Sequence, residues 1–165
     1  MSWLLDIFRG FPPEITTFIV SALPISELRG GLPMALEVFH FPLWKAFLIC
    51  VAGNFFPVIF ILIFLEKISV FLRRWKIFDR FFEWLFTRTR KKFEGSYAAW
   101  GSLALVVFVG IPLPMTGAWT GSLAAFLFGI PKAKGAILNL LGIILAGIIV
   151  SFAVFGTVSI FKIFI

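Results

Sequence analysis

Two polar segments, each broken by glycine and proline, interrupt a chain whose remaining sequence suits a lipid bilayer. The first reads Leu23-Pro24-Ile25-Ser26-Glu27-Leu28-Arg29-Gly30-Gly31-Leu32-Pro33 and carries two opposite charges. The second, Gly110-Ile111-Pro112-Leu113-Pro114-Met115-Thr116-Gly117-Ala118-Trp119-Thr120-Gly121, follows about ninety residues later. Broken backbone at membrane depth leaves amides and carbonyls without partners, so it persists only where protein or a water-filled cavity surrounds it. Interrupted apolar segments at matching places in two halves of a chain are the pattern of a transport site.

Composition supports the membrane setting. With 61% hydrophobic residues and a mean hydropathy of +1.06, an ordinary soluble domain is excluded. The expectation is a single membrane domain over residues 1–165. Cys50, alone in an apolar run, offers no internal disulfide framework and reads as a small buried hydrophobe. Residues 1–10 lack a basic n-region and a small-residue cleavage site. Their pattern, Trp3, Leu4, Leu5, Ile7 and Phe8 with Asp6 and Arg9, predicts a short interfacial helix ended by Gly10 and Pro12-Pro13.

The net charge of +7 raises the question of a nucleic-acid partner, and the distribution answers it. Nine of the fifteen Lys and Arg fall between Lys67 and Lys92, among Phe71, Trp75, Phe78, Phe81, Phe82, Trp84 and Phe86. Basic residues spaced among large aromatics fit an amphipathic element in an anionic headgroup layer. The expected partners are membrane lipids, not nucleic acid.

Residues 42–65 and 131–155 are each long enough to span, since a crossing helix needs about 20 residues. Pro57 predicts a kink in the first. Residues 13–23, 27–39, 97–110 and 116–128 are shorter, the length of half-helices or re-entrant segments. The chain thus repeats itself: half-helix, broken tip, half-helix, proline corner, long span. Residues 13–65 form the first repeat, 66–94 a basic amphipathic connector and 97–155 the second repeat. His40-Phe41-Pro42-Leu43 matches Gly129-Ile130-Pro131-Lys132 at the corners, and Gly53 matches Gly142 at the same offset. The fold class expected is an all-α membrane protein of two inverted repeats, each a re-entrant helical hairpin followed by a long transmembrane helix.

Charge sets the orientation. By the positive-inside rule the connector is cytoplasmic, so the first hairpin dips from outside and the second from the cytoplasm. Lys132 and Lys134 at the start of the second span agree, giving eleven of fifteen basic residues on the cytoplasmic side. Arg9, Lys45 and Lys162 remain outside. The expected location is a prokaryotic cytoplasmic membrane.

Ser26 is placed to cap the returning half-helix of the first hairpin, with Glu27 and Arg29 in its first turn. By the same logic Thr116 caps the second, and Gly117 and Gly121 let another backbone approach. Two helix N-termini then meet near mid-bilayer, and Arg29 adds a permanently charged fork suited to carboxylate or phosphate. Arg29, Ser26, Gly30, Thr116, Gly117, Trp119 and Asn54 are the candidate substrate-binding residues. Glu27 is the candidate for proton coupling, because an intramembrane carboxylate costs about 2.5 kcal/mol or more and marks function. A purely structural role remains open for the pair: Glu27 and Arg29 would staple the hairpin. Their i, i+2 spacing then requires an irregular backbone at the tip. Asn54 serves equally as polar glue between helices, and Trp119 as packing or an aromatic anchor. Glu37 and His40 fall at a solvated corner. Pro33, Pro112 and Pro114 shape the backbone. No catalytic constellation, metal-ligand spacing or phosphate loop is present, so no enzyme, metal or cofactor is expected.

The stretch Glu27 to Pro33, then Gly53-Asn54, then Pro112 to Gly121 resembles the small multidrug export proteins, a prokaryotic family that is itself similar to the DedA (VTT-domain) membrane proteins. The resemblance runs from about Pro13 to Phe155 and implies the same inverted, re-entrant hairpins. Through the DedA relatives it implies proton-dependent movement of phosphorylated polyprenyl or other lipids, with Glu27 and Arg29 as the first-repeat charges. Arginines of the DedA second repeat have no counterpart in residues 112–121; Lys132 and Lys134 are the nearest basic residues. The function expected is transport of an anionic amphiphile or phosphate-bearing lipid by a homodimer or higher oligomer. The alternatives are a proton-driven exporter of cationic drugs, with Glu27 as the binding carboxylate, and a lipid-organising scaffold that transports nothing.

Overall fold

Uninterrupted apolar sequence folds as helix where water cannot satisfy the backbone, because a helix closes its hydrogen bonds within the segment. The computed structural model describes residues 10–72, 74, 75, 79, 80, 83, 96–113 and 116–164, and every regular element among them is helical. Two short helices, α1 (Pro13–Ala22) and α2 (Glu27–Pro33), are followed by a π-helical turn (Met34–Val38) and the long α3 (Leu43–Leu72). The second half repeats the order with α4 (Ser96–Gly110), α5 (Ala118–Leu127) and the long α6 (Lys132–Phe164). Residues 1–9, expected as an interfacial helix, and most of the connector lie outside the described residues. Helix α3 continues past the expected end of the first span at residue 65, reaching Leu72, and runs unbroken through Pro57.

Local chemistry sets the breaks. Leu23 precedes Pro24, whose ring disfavours helical backbone at the residue before it, and Leu23 is extended with ψ 140°. At the corners the chain turns through left-handed residues, His40 (φ 52°) and Gly129 (φ 64°), each two positions before a proline. The Ile130 amide closes the end of α5 on the Ala125 carbonyl at 2.9 Å, as helix C-caps commonly do. Phe41 closes the first corner on Ala35 at 2.9 Å, one residue further back, and the π-helical turn takes up that extra residue.

The halves interlock. Helix α1 packs on α3 and α4 on α6, while α2 crosses to α6 and α5 crosses to α3. Gly53 on α3 faces the Phe18 carbonyl of α1, so closely that a Cβ would collide with that backbone. Gly142 on α6 also packs tightly on α4, where an added Cβ would collide with the Val109 side chain and lie 3.0 Å from the Val106 carbonyl. Phe18 and Val106 each stand six residues before a tip proline, Pro24 and Pro112. Small residues permit such approach where helices associate by packing and not by escape from water.

The core draws on both halves: Leu28, Leu32, Cys50, Val58, Leu62, Val109, Leu138 and Ile143 are all buried. Hydroxyls at Thr17, Ser122 and Ser151 return to carbonyls four residues back at 2.7–2.8 Å, spending their polarity within the helix. Only 28% of the most apolar window in Leu43–Leu65 is buried within the chain, and 44% of that in Lys132–Gly156. Helices apolar on all faces yet mostly uncovered by their own chain require an apolar surrounding, which is lipid. Phe56, Phe60, Phe64, Ile148 and Phe152 face it.

Candidate functional site

The two broken segments come together. From the first, the Arg29 guanidinium donates to the Thr116 carbonyl at 3.0 Å and to the Leu113 carbonyl, both in the second. In return Trp119 Nε1 donates to the Ala22 carbonyl at 3.1 Å, satisfying the end of α1. The Glu27 carboxylate lies 3.5 Å from Arg29 and faces the Ala118 and Trp119 amides that open α5. Helix α5 has glycine at its N-cap and no capping side chain of its own. The other half of the chain supplies one, in the place where a negative group meets the helix dipole.

Backbone strain accompanies this arrangement. Glu27 has φ 45°, the left-handed region, where a residue other than glycine costs about 1–3 kcal/mol. That conformation is what brings two side chains at i, i+2 within reach of each other. Hydrogen bonds from a charged group contribute about 1.5–3 kcal/mol each. The two made by Arg29, with the carboxylate at α5, therefore outweigh the strain at Glu27. The tip holds its shape because the opposite tip is there.

Beside the contact lies a cavity of about 610 Å³, lined by Pro24, Ile25, Ser26, Glu27, Arg29, Gly30, Thr116, Trp119 and Thr120. Five of the seven expected substrate-binding residues thus share one cavity wall with Glu27, and Gly117 abuts it through the carboxylate. Asn54 does not line it; it is buried on α3 with Oδ1 unpartnered. Two capping roles need correction. Ser26 holds the N-cap position of α2, but its hydroxyl turns back to the Val20 carbonyl. Thr116 is not the cap of α5: Gly117 is. Thr116 Oγ1 instead has one proton to share between the carbonyls of Ile111 (2.8 Å) and Leu113 (2.9 Å) and accepts from the Leu113 amide, so its hydroxyl is spent on its own loop. A hydroxyl this near its local backbone bonds there first. Pro114 lies outside the described residues, and Glu37 and His40 are exposed.

The family described as "Putative small multi-drug export protein" matches residues 27–149. The chain belongs to this family. The matched stretch opens on Glu27 and takes in α2 to α5 and most of α6, so it contains the whole second broken segment and the first from Glu27 onward. No curated protein and no solved structure matches the chain.

In this family member, part of the site is backbone: the Leu113, Thr116 and Ala22 carbonyls and the Ala118 and Trp119 amides. The amides are those of a helix N-terminus, expected at the second tip, whereas residue type does not announce the carbonyls, and the sequence reading passed over them. Thr120, in the first turn of α5, was also missed. Ile25, 95% exposed, forms an apolar lip on the cavity.

Proposed function

We propose that this member of the export family is a membrane transporter whose two hairpins are re-entrant and mutually inverted, and whose meeting tips receive the anionic head of an amphiphile. The close packing at both Gly53 and Gly142 supports the repeat, and the gathering of eleven of the fifteen Lys and Arg in residues 67–92 and at Lys132 and Lys134 supports the inversion. With two long helices among the described residues to form a wall, the working unit is a homodimer or higher oligomer. The observation that carries the reading is the contact of Arg29 with the Leu113 and Thr116 carbonyls at the edge of an open cavity.

Ligand chemistry follows from what the tips use in its absence. Carbonyl oxygens occupy the guanidinium, and a carboxylate occupies the start of α5. A phosphate or carboxylate head competes for both positions with the same kind of oxygen. Binding it frees the opposite tip, so the ligand itself favours the parted state. The Arg29 side chain is 26% exposed against 7% for Glu27, so an incoming head meets the positive charge first. Release of Glu27 from α5 gives it access to a proton. Flux at a fixed substrate gradient therefore falls when an ionophore collapses the proton gradient; unchanged flux removes proton coupling.

Proteoliposomes loaded with dodecyl phosphate or dodecyltrimethylammonium test the reading. Efflux of dodecyl phosphate is expected, abolished by Arg29→Ala and partly kept by Arg29→Lys. Efflux of the ammonium compound alone, lost in Glu27→Gln and kept in Arg29→Ala, overturns the anionic reading in favour of a cation exporter. Efflux of neither compound overturns transport of this class.

A further inference from the structure

We infer that the apolar cleft between α4 and α5 holds the alkyl tail of the amphiphile whose head sits at the tips. This rests on the reading of the tips as a head site and extends it to the whole ligand. The cleft is a separate cavity of about 590 Å³, lined by Gly101, Ala104, Phe108, Leu123 and Leu127, and at its upper end by Thr120. Thr120 also lines the tip cavity, so one residue forms the seam between a charged compartment and an apolar one. Its hydroxyl is bonded back to the Gly117 carbonyl at 3.3 Å, which spends the polar group inside α5. Both volumes lie within the roughly 300–1,000 Å³ of small-molecule sites.

The geometry suits a single chain. Gly101 and Phe108 are seven residues apart on α4, about 10 Å along the axis. The small residues Gly101 and Ala104 leave the α4 side open, and Leu123 and Leu127 flank the α5 side. A third cavity offers a comparison. At about 510 Å³ it lies between the start of α3 and the end of α6, lined by Leu43, Trp44, Phe47 and Phe152, and it shares no residue with the tips. Both clefts accept membrane acyl chains, but only the α4–α5 cleft joins a place for a charged head. Moving a tail from lipid to protein gains no hydrophobic energy. The cleft therefore acts by orienting the amphiphile, with its head held against Arg29.

Full-length protein in phosphatidylcholine nanodiscs, labelled with dodecyl phosphate carrying a diazirine at the chain end or beside the head, tests this. Chain-end adducts are expected on residues 101–108 and 120–128, and head-side adducts on 26–30 and 116–120. Excess unmodified dodecyl phosphate should displace both sets. Adducts on residues 43–48 and 148–155 should resist displacement. Ala104→Phe fills the cleft from an exposed position and should cut chain-end adducts about tenfold while head-side adducts persist. Leu127→Trp, also at an exposed position, serves the same purpose if the first variant folds poorly.

Chain-end adducts that resist displacement, or that distribute equally over the two apolar cavities, overturn the cleft as a tail site. Head-side adducts lost in Arg29→Ala would still stand in that case, leaving the tip reading intact. Displaceable cleft adducts indifferent to Arg29→Ala overturn the joint site and the anionic head reading together.

Discussion

The Glu27 carboxylate occupies the space that a side chain at position 117 would need. A Cβ built on Gly117 collides with both of its oxygens. Gly117 is also held by its own backbone, since φ 142° and ψ −166° belong to a region open essentially to glycine alone. Glu27 in turn stands at φ 45°. Each residue keeps an unusual conformation that makes sense only in the presence of the other. The tip contact is thus a property of the pair.

Gly117→Ala is accordingly expected to be severe. Backbone strain of about 1–3 kcal/mol adds to overpacking of about 1–3 kcal/mol, and thermal unfolding in detergent reads the sum. In a Glu27→Ala background the collision is gone and only the backbone term remains. The cost of the glycine substitution should then fall by about half, a coupling that a double-mutant cycle isolates. Equal costs in the two backgrounds would mean that the carboxylate does not sit against Gly117.

Arg29 separates charge from shape. Lysine keeps the charge but lacks the planar fork that reaches two carbonyls at once. Arg29→Ala leaves the Leu113 and Thr116 carbonyls without their donor and should cost about 3 kcal/mol; Arg29→Lys should fall between it and the parent. A parted tip also opens the cavity. In a Cys50→Ser background, a cysteine introduced by Thr120→Cys should react with an impermeant maleimide severalfold faster when Arg29→Ala is added. Identical rates would show that the guanidinium does not hold the tips together.

Much of this was legible before any coordinates. Three of the four short helices begin and end within about two residues of the sequence expectation, because proline and glycine punctuate them, while α2 stops at Pro33 and the π-helical turn fills the rest of the stretch expected as one helix over residues 27–39. The convergence of Ser26, Glu27, Arg29, Gly30, Thr116 and Trp119 was legible too, since polar residues in an apolar chain must find one another. The caps were not. Ser26 and Thr116 carry the residue types of an N-cap, but each found a nearer carbonyl, and a carboxylate from the other half took the place at α5. Asn54 was misplaced because a lone polar residue on a long helix gives no sign of which face it shares with a cavity. The crossing of α2 onto α6 and α5 onto α3 was also hidden, since apolar faces of equal character do not name their partners.

The Trp119 side chain ties the second tip to the end of α1, Nε1 donating to the Ala22 carbonyl at 3.1 Å. Trp119→Phe keeps most of the ring packing and removes the donor, leaving a helix-end carbonyl unsatisfied. The expected cost is about 1 kcal/mol in unfolding. Trp119→His, which can still present a ring N–H, should recover part of it. A phenylalanine variant of unchanged stability would reduce the indole to a cavity wall.

The matched glycines on the long helices distinguish two kinds of close contact. Gly53 faces a backbone carbonyl, that of Phe18, which no rotamer change can withdraw. Gly142 faces chiefly the Val109 side chain, with the Val106 carbonyl 3.0 Å from where a Cβ would lie. Alanine at either position should destabilise by about 1–3 kcal/mol, with position 53 at the upper end. Rescue separates them further. Val109→Ala removes the main obstacle at 142, so Gly142→Ala in that background should cost little beyond what Val109→Ala costs alone. No side-chain truncation at Phe18 should rescue Gly53→Ala, because the obstructing atoms belong to the main chain. Rescue of Gly53→Ala by Phe18→Ala would refute the packing of α1 on α3 described above, and with it the correspondence between the halves.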